Sequence, residues 1–424
     1  MIRMRRAGIL LSVAVLVSSL FLLRLTFLHR ASWRITVSQA VGLGDLVDEE
    51  DEYDDEKKWS GLGPESSQAS AMTTDPSSPG FGPGPTKPPG SNYTRHLIVP
   101  KLKEDDTGWL DEEDLGAEIT KMIYVADDPS APLHPPQNKG HEVMIYLTYI
   151  IDHYDDLPDV SIFMHSHRYA WHNNDLLNFD AAEMIKRLSS ERVQREGYMN
   201  LRCHWIPGCP NWMHPGVMEA DVNKQEETVL AQAWAEIFPD RPIPEVLAQP
   251  CCAQFALSRA RIRATAREQY QFYREWLMRT DLDDQISGRV FEYLWQVIFT
   301  GDSIFCPRQW GCYCDGYGVC FETDKAFDHW FELRWKKKTV EDELRDWETK
   351  AAKVEEYRRE GQLQGIEAGE ISVPEVGKDI ELSRQIKELE AELESRRLEA
   401  IERGVDPKIR AASSGRTWET GEGY

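Results

Sequence analysis

The residues most able to do chemistry form a dense polar group near the middle of the chain. This group consists of His165, His167, Arg168, His172 and Asp175. Imidazole nitrogens and carboxylates bind divalent metal ions, and imidazolium or guanidinium groups bind phosphate. Because His165 and His167 are two residues apart, both face the same side of an extended segment. We therefore predict a substrate-binding site here, with a divalent metal ion on His165 and His167 as one form of it. The alternative is that these side chains only bond the backbone or cap a helix.

Two glutamates lie in otherwise apolar stretches. Glu142 belongs to GHEVMIYLTYIIDHY at positions 140–154, and Glu292 belongs to GRVFEYLWQVIF at positions 288–299. A buried carboxylate is either paired or functional, because burying an unpaired charge is costly. We predict that Glu292 is a general base and that Glu142 positions the substrate. Ordinary pairing with arginine or backbone groups is the alternative for both.

The cysteines indicate disulfide bonds. All eight lie in one block: Cys203, Cys209, Cys251, Cys252, Cys306, Cys312, Cys314 and Cys320. An even number in one block is typical of a protein folded in an oxidising compartment, although the sequence does not choose the pairing. We expect the adjacent Cys251 and Cys252 not to pair with each other. A zinc knuckle is the alternative for the last four.

The elements that must position these groups follow an α/β order. Residues 96–102 and 121–126 are predicted strands, residues 140–154 a buried helix, and Asp159–Met164 a buried strand. This order predicts a single α/β domain with a mostly parallel central sheet. Ligands bind outside the carboxyl ends of the strands in such sheets, which is where His165 and His167 lie. Further helices are predicted over 223–238, 260–279 and 288–299, and a strand over 254–258.

The N-terminus predicts attachment to a membrane. Arg3, Arg5 and Arg6 precede an apolar run from Ala7 to Leu23. We interpret residues 1–34 as a cytosolic tip and a transmembrane signal anchor, with a cleaved signal peptide as the alternative. Because the cysteines need an oxidising environment, the main domain is expected in the lumen. The chain is thus predicted to be a single-pass membrane protein of the Golgi or endoplasmic reticulum.

Composition divides the remaining chain into three parts. Residues 35–93 are acidic and then rich in Ser, Gly and Pro, which predicts a disordered stem with an N-glycosylation acceptor at Asn92. Residues 94–335 form the predicted globular domain. Residues 336–424 form a charged, helical, partly disordered tail. Its apolar residues at positions 382, 386, 389 and 393 indicate either a short self-associating coiled coil or a solvated helix.

The overall charge excludes one class of partner. The 424 residues carry a net charge of −23 with 41% hydrophobic residues. Because nucleic-acid binding needs a surplus of Lys and Arg, we expect no nucleic-acid partner.

Four long motifs carry a family resemblance. They are GHEVMIYLTYIIDHYDDLPDVSIFMHSH, GYMNLRCHWIPGCP, QFALSRARI and SGRVFEYLWQVIF. They resemble an uncharacterised, mainly fungal family known as domain of unknown function 3431, over roughly residues 95–320. That resemblance implies little about activity.

The order of these motifs is also similar to that of nucleotide-sugar glycosyltransferases of the GT-A type. In those enzymes an apolar strand ends in an Asp-x-Asp metal motif, whose place is taken here by His165-Ser166-His167. Gln254, Phe255, Ser258 and Arg259 match a later segment, and Glu292 matches the carboxylate that serves as base. The resemblance implies a nucleotide-sugar donor, a glycan acceptor, and His165 and His167 facing the donor diphosphate directly or through a metal.

Histidine in place of aspartate departs from the metal chemistry of that class. Mn²⁺ and Mg²⁺ prefer carboxylate oxygens, whereas imidazole favours Zn²⁺. Either Arg168 or a protonated histidine faces the phosphates without metal, or transfer activity has been lost. Two other functions therefore stay open. One is a metal-dependent hydrolase using His165, His167, His172 and Asp175, and the other is a non-catalytic lumenal binding module.

Overall fold

The computed structural model describes residues 86–219, 221, 224–361, 372–420 and 423–424. The predicted membrane anchor and most of the predicted stem therefore lie outside the described residues. Within those ranges, no helix has both the length and the apolar character needed to cross a membrane.

A five-stranded sheet forms the centre of the domain, with the strand order β2-β1-β3-β5-β4. The strands are β1 Arg95–Lys101, β2 Ile119–Val125, β3 Val160–Phe163, β4 Tyr198–Asn200 and β5 Phe255–Ser258. β1 pairs in parallel with β2 and β3, whereas β5 runs antiparallel to both β3 and β4. Only β5 is therefore reversed, which confirms a mixed α/β fold with a mostly parallel sheet.

Strand β3 owes its central position to its composition. All of its residues are buried, as expected for a short, apolar and partly β-branched run that is covered on both faces. Along β1, Leu97 and Val99 contact one apolar cluster and Ile98 contacts the other. Because successive side chains of a strand point to opposite faces, two apolar layers cover the sheet.

The helices pack on these two faces. Before β4 they are α1 Trp109–Glu112, α2 Glu142–Asp152, α3 Ala181–Arg187 and α4 Ser190–Glu196. After β4 they are α5 Glu227–Ile237, α6 Arg259–Arg263, α7 Arg267–Arg279, α8 Asp284–Glu292, α9 Trp295–Thr300, α10 Gln309–Tyr317, α11 Asp324–Arg359, α12 Lys378–Arg403 and α13 Pro407–Ser413. The buried helix predicted over 140–154 corresponds to α2, whose residues from Val143 to Ile151 are all buried.

Two helices that the sequence predicts as continuous are each divided into two, so these predictions are wrong in that respect. The helix predicted over 260–279 is divided into α6 and α7, and the one predicted over 288–299 into α8 and α9. The second break has a physical reason, because side chains satisfy the carbonyls that leave the helical ladder. Gln249 Nε2 donates to the Glu292 carbonyl, and Gln296 Nε2 donates to the Tyr293 carbonyl at 2.8 Å. Glu292 is consequently the last residue of α8 rather than a mid-helix residue.

All eight cysteines form disulfides, as the sequence predicts. The pairs are Cys203–Cys312, Cys209–Cys306, Cys251–Cys252 and Cys314–Cys320. The last four cysteines therefore do not form a zinc knuckle. Our expectation that Cys251 and Cys252 do not pair is wrong. The backbone accommodates this bridge, because Cys252 and the following Ala253 have positive φ angles of 84° and 48°.

The predicted boundary between domain and tail, at positions 335 and 336, falls inside helix α11. Leu382, Leu389 and Leu393 of α12 are buried in the apolar cluster that also contains Trp330 of α11. The indole Nε1 of Trp330 donates to the Leu393 carbonyl at 3.0 Å. The leucine repeat therefore packs against the protein's own chain. Its role in self-association stays a prediction.

The end of the predicted stem is attached to the domain. Tyr93 is buried, and its hydroxyl accepts a hydrogen bond from the Lys87 backbone N–H at 2.8 Å. Lys87 also forms an ion pair with Asp159 at 2.7 Å. Asn92 is exposed beside these contacts, so its side chain is accessible to a glycosylating enzyme. The modification itself stays a prediction.

Candidate functional site

The end of β3 and the start of β5 meet at the carboxyl edge of the parallel strands. His165 follows β3 by two residues, and Gln254 immediately precedes β5. The His165 backbone N–H donates to Gln254 Oε1 at 3.1 Å, and Gln254 Nε2 donates to Asn173 Oδ1 at 3.0 Å. The loop after β3 and the start of β5, which are distant in sequence, therefore meet at His165.

His165 and His172 form an imidazole pair at this edge. His165 Nδ1 lies 3.1 Å from His172 Nε2, while His167 is exposed. Burial lowers the pKa of His165 to about 4, with a smaller effect from His167 and His141. Burial also lowers the pKa of His172 well below its usual value, and His165 and Arg202 add to this effect. Both imidazoles are therefore neutral near pH 7 and would meet a phosphate through hydrogen bonds rather than through positive charge.

The low pKa values predict a dependence of stability on pH. The unfolded chain binds protons to histidine near pH 6.5, whereas native His165 binds one only near pH 4. Stability therefore falls as the pH decreases from about 6.5 to about 4. As the pH falls through this range, the unfolding temperature of His165→Asn/His172→Asn should decrease less than that of the wild type. Thermal denaturation measures the difference. The matched control is His329→Gln on α11, which should follow the wild type. Equal pH slopes in the wild type and the double variant would contradict the buried neutral pair.

Two predicted site residues are held by other parts of the chain. The Arg168 guanidinium contacts Asp180 at 3.1 Å and Glu113 at 2.7 Å. Asp175 is buried and forms an ion pair with Arg334 of α11 at 2.5 Å. These contacts fix the loop after β3 rather than leaving Arg168 and Asp175 available to a substrate.

Glu292 lies beside the adjacent disulfide. One carboxylate oxygen, Oε1, accepts a hydrogen bond from the Cys252 backbone N–H at 2.6 Å. The pKa of Glu292 is raised to about 8, chiefly by burial and also by the negative charges of Glu226 and Glu142. The Cys252 N–H and Arg289 act in the opposite direction. Glu292 therefore exchanges its proton close to physiological pH.

Glu142 is the first residue of α2 and is near the same centre. Burial raises its pKa, while His141 lowers it and Asp284 raises it. Asp284, at the start of α8, accepts from the Gly140 backbone N–H at 2.5 Å and lies 3.6 Å from His141 Nε2. It thereby joins the start of α2 to α8, the helix that ends in Glu292.

The contact between α2 and α8 is close. A side-chain Cβ at Gly288 of α8 would lie 3.1 Å from the His141 ring and 3.2 Å from the Gly140 carbonyl. We expect any larger residue at position 288 to separate α8 from the start of α2.

The four central side chains are partly enclosed by the protein. Glu142, His165, His172 and Glu292 each keep partial exposure. Burial is nevertheless the largest cause of every one of their pKa shifts. Titratable side chains that combine partial exposure with strong desolvation are common at functional sites, and we refer to these four residues as the histidine and carboxylate recess.

The donor set does not fit a resident metal ion. In the described ranges, one group of three His, Cys, Asp or Glu ligand atoms lies within 4.8 Å of one another, namely Cys251, Cys252 and Glu292. The two sulfurs are bonded to each other and are not thiolate ligands. Among the described residues, the hydrolase site predicted from His165, His167, His172 and Asp175 is not assembled, because Asp175 pairs with Arg334 and the His165–His172 pair gains no third ligand within 4.8 Å.

A cation lies at the same edge of the sheet. Lys101 is the last residue of β1, the strand next to β3. Among the described residues, its ammonium group donates to uncharged oxygens, the Asp105 carbonyl at 2.6 Å and Thr107 Oγ1 at 3.4 Å. Its positive charge is therefore available to an anionic ligand.

Sequence reasoning missed several members of this site. Glu226, Asp284, Lys101 and the Cys251–Cys252 bridge come from segments far apart in the chain, and only the fold brings them together. The one available signal was that Gln254 begins the strand predicted over 254–258, the position from which it contacts His165.

Fold and site together define a disulfide-linked α/β domain with a histidine and carboxylate recess at the carboxyl edge of its sheet. The family model described as "Protein of unknown function (DUF3431)" matches residues 97–315. The chain belongs to this family. A search of curated proteins finds no match, and neither does a search of the solved structures.

Proposed function

We propose that the domain transfers a sugar from a nucleotide-sugar donor to a hydroxyl acceptor, with Glu292 as the general base. The observation that carries this proposal is the Glu292 carboxyl, which lies in the recess with a pKa of about 8. A base is most effective when its pKa is close to the working pH. Most carboxylates have pKa values far below that range.

The reaction assigns one role to Glu292. The acceptor hydroxyl oxygen attacks the anomeric carbon of the donor sugar, and the bond from that carbon to the diphosphate oxygen breaks. The hydroxyl proton moves to the Glu292 carboxylate. The nucleoside diphosphate leaves with the bonding electron pair. The Cys252 N–H, 2.6 Å from Glu292 Oε1, fixes the orientation of the base.

The donor diphosphate is expected at the ends of β1 and β3. Lys101 would supply positive charge there, and the neutral imidazoles of His165 and His172, together with the exposed His167, would supply hydrogen bonds. This arrangement replaces Arg168, which Asp180 and Glu113 hold. It needs no resident metal ion, in agreement with the donor set.

The order of elements supports the same proposal. A helix leads to the strand that ends at His165, a later strand begins beside it, and a helix then ends in the carboxylate. That order is the one on which the resemblance to GT-A type glycosyltransferases rests. Four disulfides support a lumenal location for the domain. We therefore retain the N-terminal membrane anchor and the secretory-pathway location as proposals.

A binding experiment with a charge variant tests the donor site. Binding of nucleoside diphosphates and nucleotide sugars is measured by calorimetry on the wild type and on Lys101→Met. We expect the affinity of the variant to be about 10- to 150-fold weaker, because a charge-assisted hydrogen bond contributes about 1.5–3 kcal/mol. The matched control is Lys350→Met on α11, which removes the same charge from a surface ion pair with Asp346. Equal affinities in wild type and Lys101→Met would contradict the placement of the diphosphate.

A further inference from the structure

The segment that carries the adjacent disulfide is fixed on its N-terminal side. Tyr198 Oη donates to Gln249 Oε1 at 2.7 Å, and Asn200 Nδ2 donates to the Pro250 carbonyl at 2.7 Å. The Cys251 backbone N–H donates to the Pro207 carbonyl at 3.2 Å. Residues 249–251 are therefore held in place by β4 and by the loop that follows it.

The C-terminal side of the same segment carries the two contacts that build the site. The Cys252 backbone N–H reaches Glu292 Oε1 at 2.6 Å, and Gln254 Oε1 reaches the His165 backbone N–H at 3.1 Å. Only Ala253 separates the residues that make these contacts. The direction of the chain at 252 and 253 therefore determines whether Glu292 and His165 are both engaged.

The backbone at these two positions is unusual. Cys252 and Ala253 have φ angles of 84° and 48°, a region that residues with a Cβ atom disfavour and that persists only when the surroundings enforce it. The Cys251–Cys252 bond, which closes a small covalent ring around the peptide, is the constraint closest to them. Cys251 is buried and Cys252 is partly exposed, so the bridge borders the recess.

We propose that the Cys251–Cys252 disulfide is a positioning element for Glu292: when closed, it holds the Cys252 N–H against the carboxylate, and when opened, it releases that donor. The proposal rests on the proposed function only where it concerns turnover. The contact between Cys252 and Glu292 exists with or without a sugar substrate.

Opening the bridge requires a reductant, which we take to be a dithiol. The sulfur–sulfur bond breaks, and two electrons pass from the dithiol to the protein. Each cysteine sulfur ends with one proton, and the dithiol leaves as its own disulfide. Reduction in this way would make the proton affinity of Glu292 dependent on the redox state of the compartment.

The test compares two variants that differ in how readily residue 252 adopts a positive φ angle. In Cys251→Ala/Cys252→Ala the bridge is lost and position 252 disfavours a positive φ. In Cys251→Ala/Cys252→Gly the bridge is lost, but glycine adopts a positive φ without strain. The control Cys314→Ala/Cys320→Ala removes another disulfide that does not contact Glu292.

The measurement is the titration of Glu292 by difference infrared spectroscopy, with the band assigned by its loss in Glu292→Gln. We expect a midpoint near pH 8 in the wild type and in the control. The alanine variant should titrate about one pH unit higher, because it loses a hydrogen bond to the charged form. The glycine variant should titrate between the two. The midpoint of any pH-rate profile should follow the same order.

Two results would overturn the proposal. One is a folded alanine variant that titrates with the wild type, and the other is a glycine variant shifted as far as the alanine variant. If neither variant folds, the wild type is reduced with a dithiol and the opened cysteines are identified by thiol labelling. An unchanged Glu292 midpoint after Cys251 and Cys252 are labelled would then overturn it. Since the titration needs no substrate, an absence of turnover in all proteins counts against the proposed function alone.

Discussion

Replacing Glu292 by glutamine lowers the turnover of the preferred nucleotide sugar by about 10²–10⁴-fold, the usual contribution of a general base. The side chain keeps its shape and still accepts the Cys252 N–H, but it no longer takes a proton from the acceptor. We therefore expect the affinity for the nucleoside diphosphate to change little. Steady-state kinetics and calorimetry on the same preparations separate these two quantities.

The pKa of Glu292 also predicts how turnover changes with pH. Wild-type turnover should rise with pH with a midpoint of about 8, as Glu292 loses its proton. Glutamine should abolish that limb of the profile. The matched control is Glu275→Gln on α7, an exposed residue that pairs only weakly with Arg279 at 4.0 Å, and it should retain the wild-type profile.

Stability offers an independent check on the same residue. The native pKa of Glu292 is about 8, above the ordinary 4.5, so the unfolded chain releases this proton first as the pH rises. Because of this group, the free energy of unfolding decreases as the pH rises from about 4.5 to about 8. Glu292→Gln should unfold at a higher temperature than the wild type at pH 8. A lower unfolding temperature would contradict the buried, protonated carboxyl.

Replacing Asp315 by asparagine lowers the free energy of unfolding by about 3–5 kcal/mol, the typical cost of removing one partner from a buried ion pair. Asp315 of α10 is buried and lies 2.9 Å from both Arg195 of α4 and Arg416 beyond α13. The substitution removes the carboxylate that these two guanidinium groups share with Arg192, 3.8 Å away. Denaturant unfolding followed by circular dichroism measures the difference.

The Asp315 network has a control in an exposed ion pair, and its contribution to stability depends on pH. Asp346→Asn on α11 breaks an exposed pair with Lys350 and should cost less than about 1 kcal/mol. Burial raises the pKa of Asp315, but the charges of Arg192, Arg195 and Arg416 together outweigh it and hold this pKa below its ordinary 3.8. Its stabilising effect is therefore complete above that value and is lost as the pH falls through the native pKa. Equal costs for the two variants would contradict the buried network.

The regular elements could be predicted because their signals are local. The apolar run at 159–164 and the apolar stretch at 140–154 have the composition of a buried strand and a buried helix, and both are found. The breaks at Thr265 and after Glu292 could not be predicted, because tertiary contacts supply partners for the freed carbonyls of these two residues. The Thr265 carbonyl accepts from Tyr154 Oη at 2.8 Å, a residue more than one hundred positions earlier.

The site was predictable only in part, for the same reason. The position of His165 after a buried strand placed it at the correct edge of the sheet, and apolar neighbours singled out Glu292 and Glu142. Whether a polar side chain is free or held depends on contacts made by the fold. Arg168 and Asp175 were therefore assigned to the substrate, whereas Asp180, Glu113 and Arg334 hold them. Nothing local indicated that Cys251 bonds Cys252.

Release of nucleoside diphosphate from a panel of nucleotide sugars, in the presence of mixed glycan acceptors and a metal chelator, measures glycosyl transfer by this domain directly. We predict saturable release from one nucleotide sugar by the wild type, and its loss in Glu292→Gln with nucleotide binding retained. If no nucleotide sugar or nucleoside diphosphate binds the wild type, or if Glu292→Gln releases product at the wild-type rate, the account of this recess as a glycosyl-transfer site is contradicted.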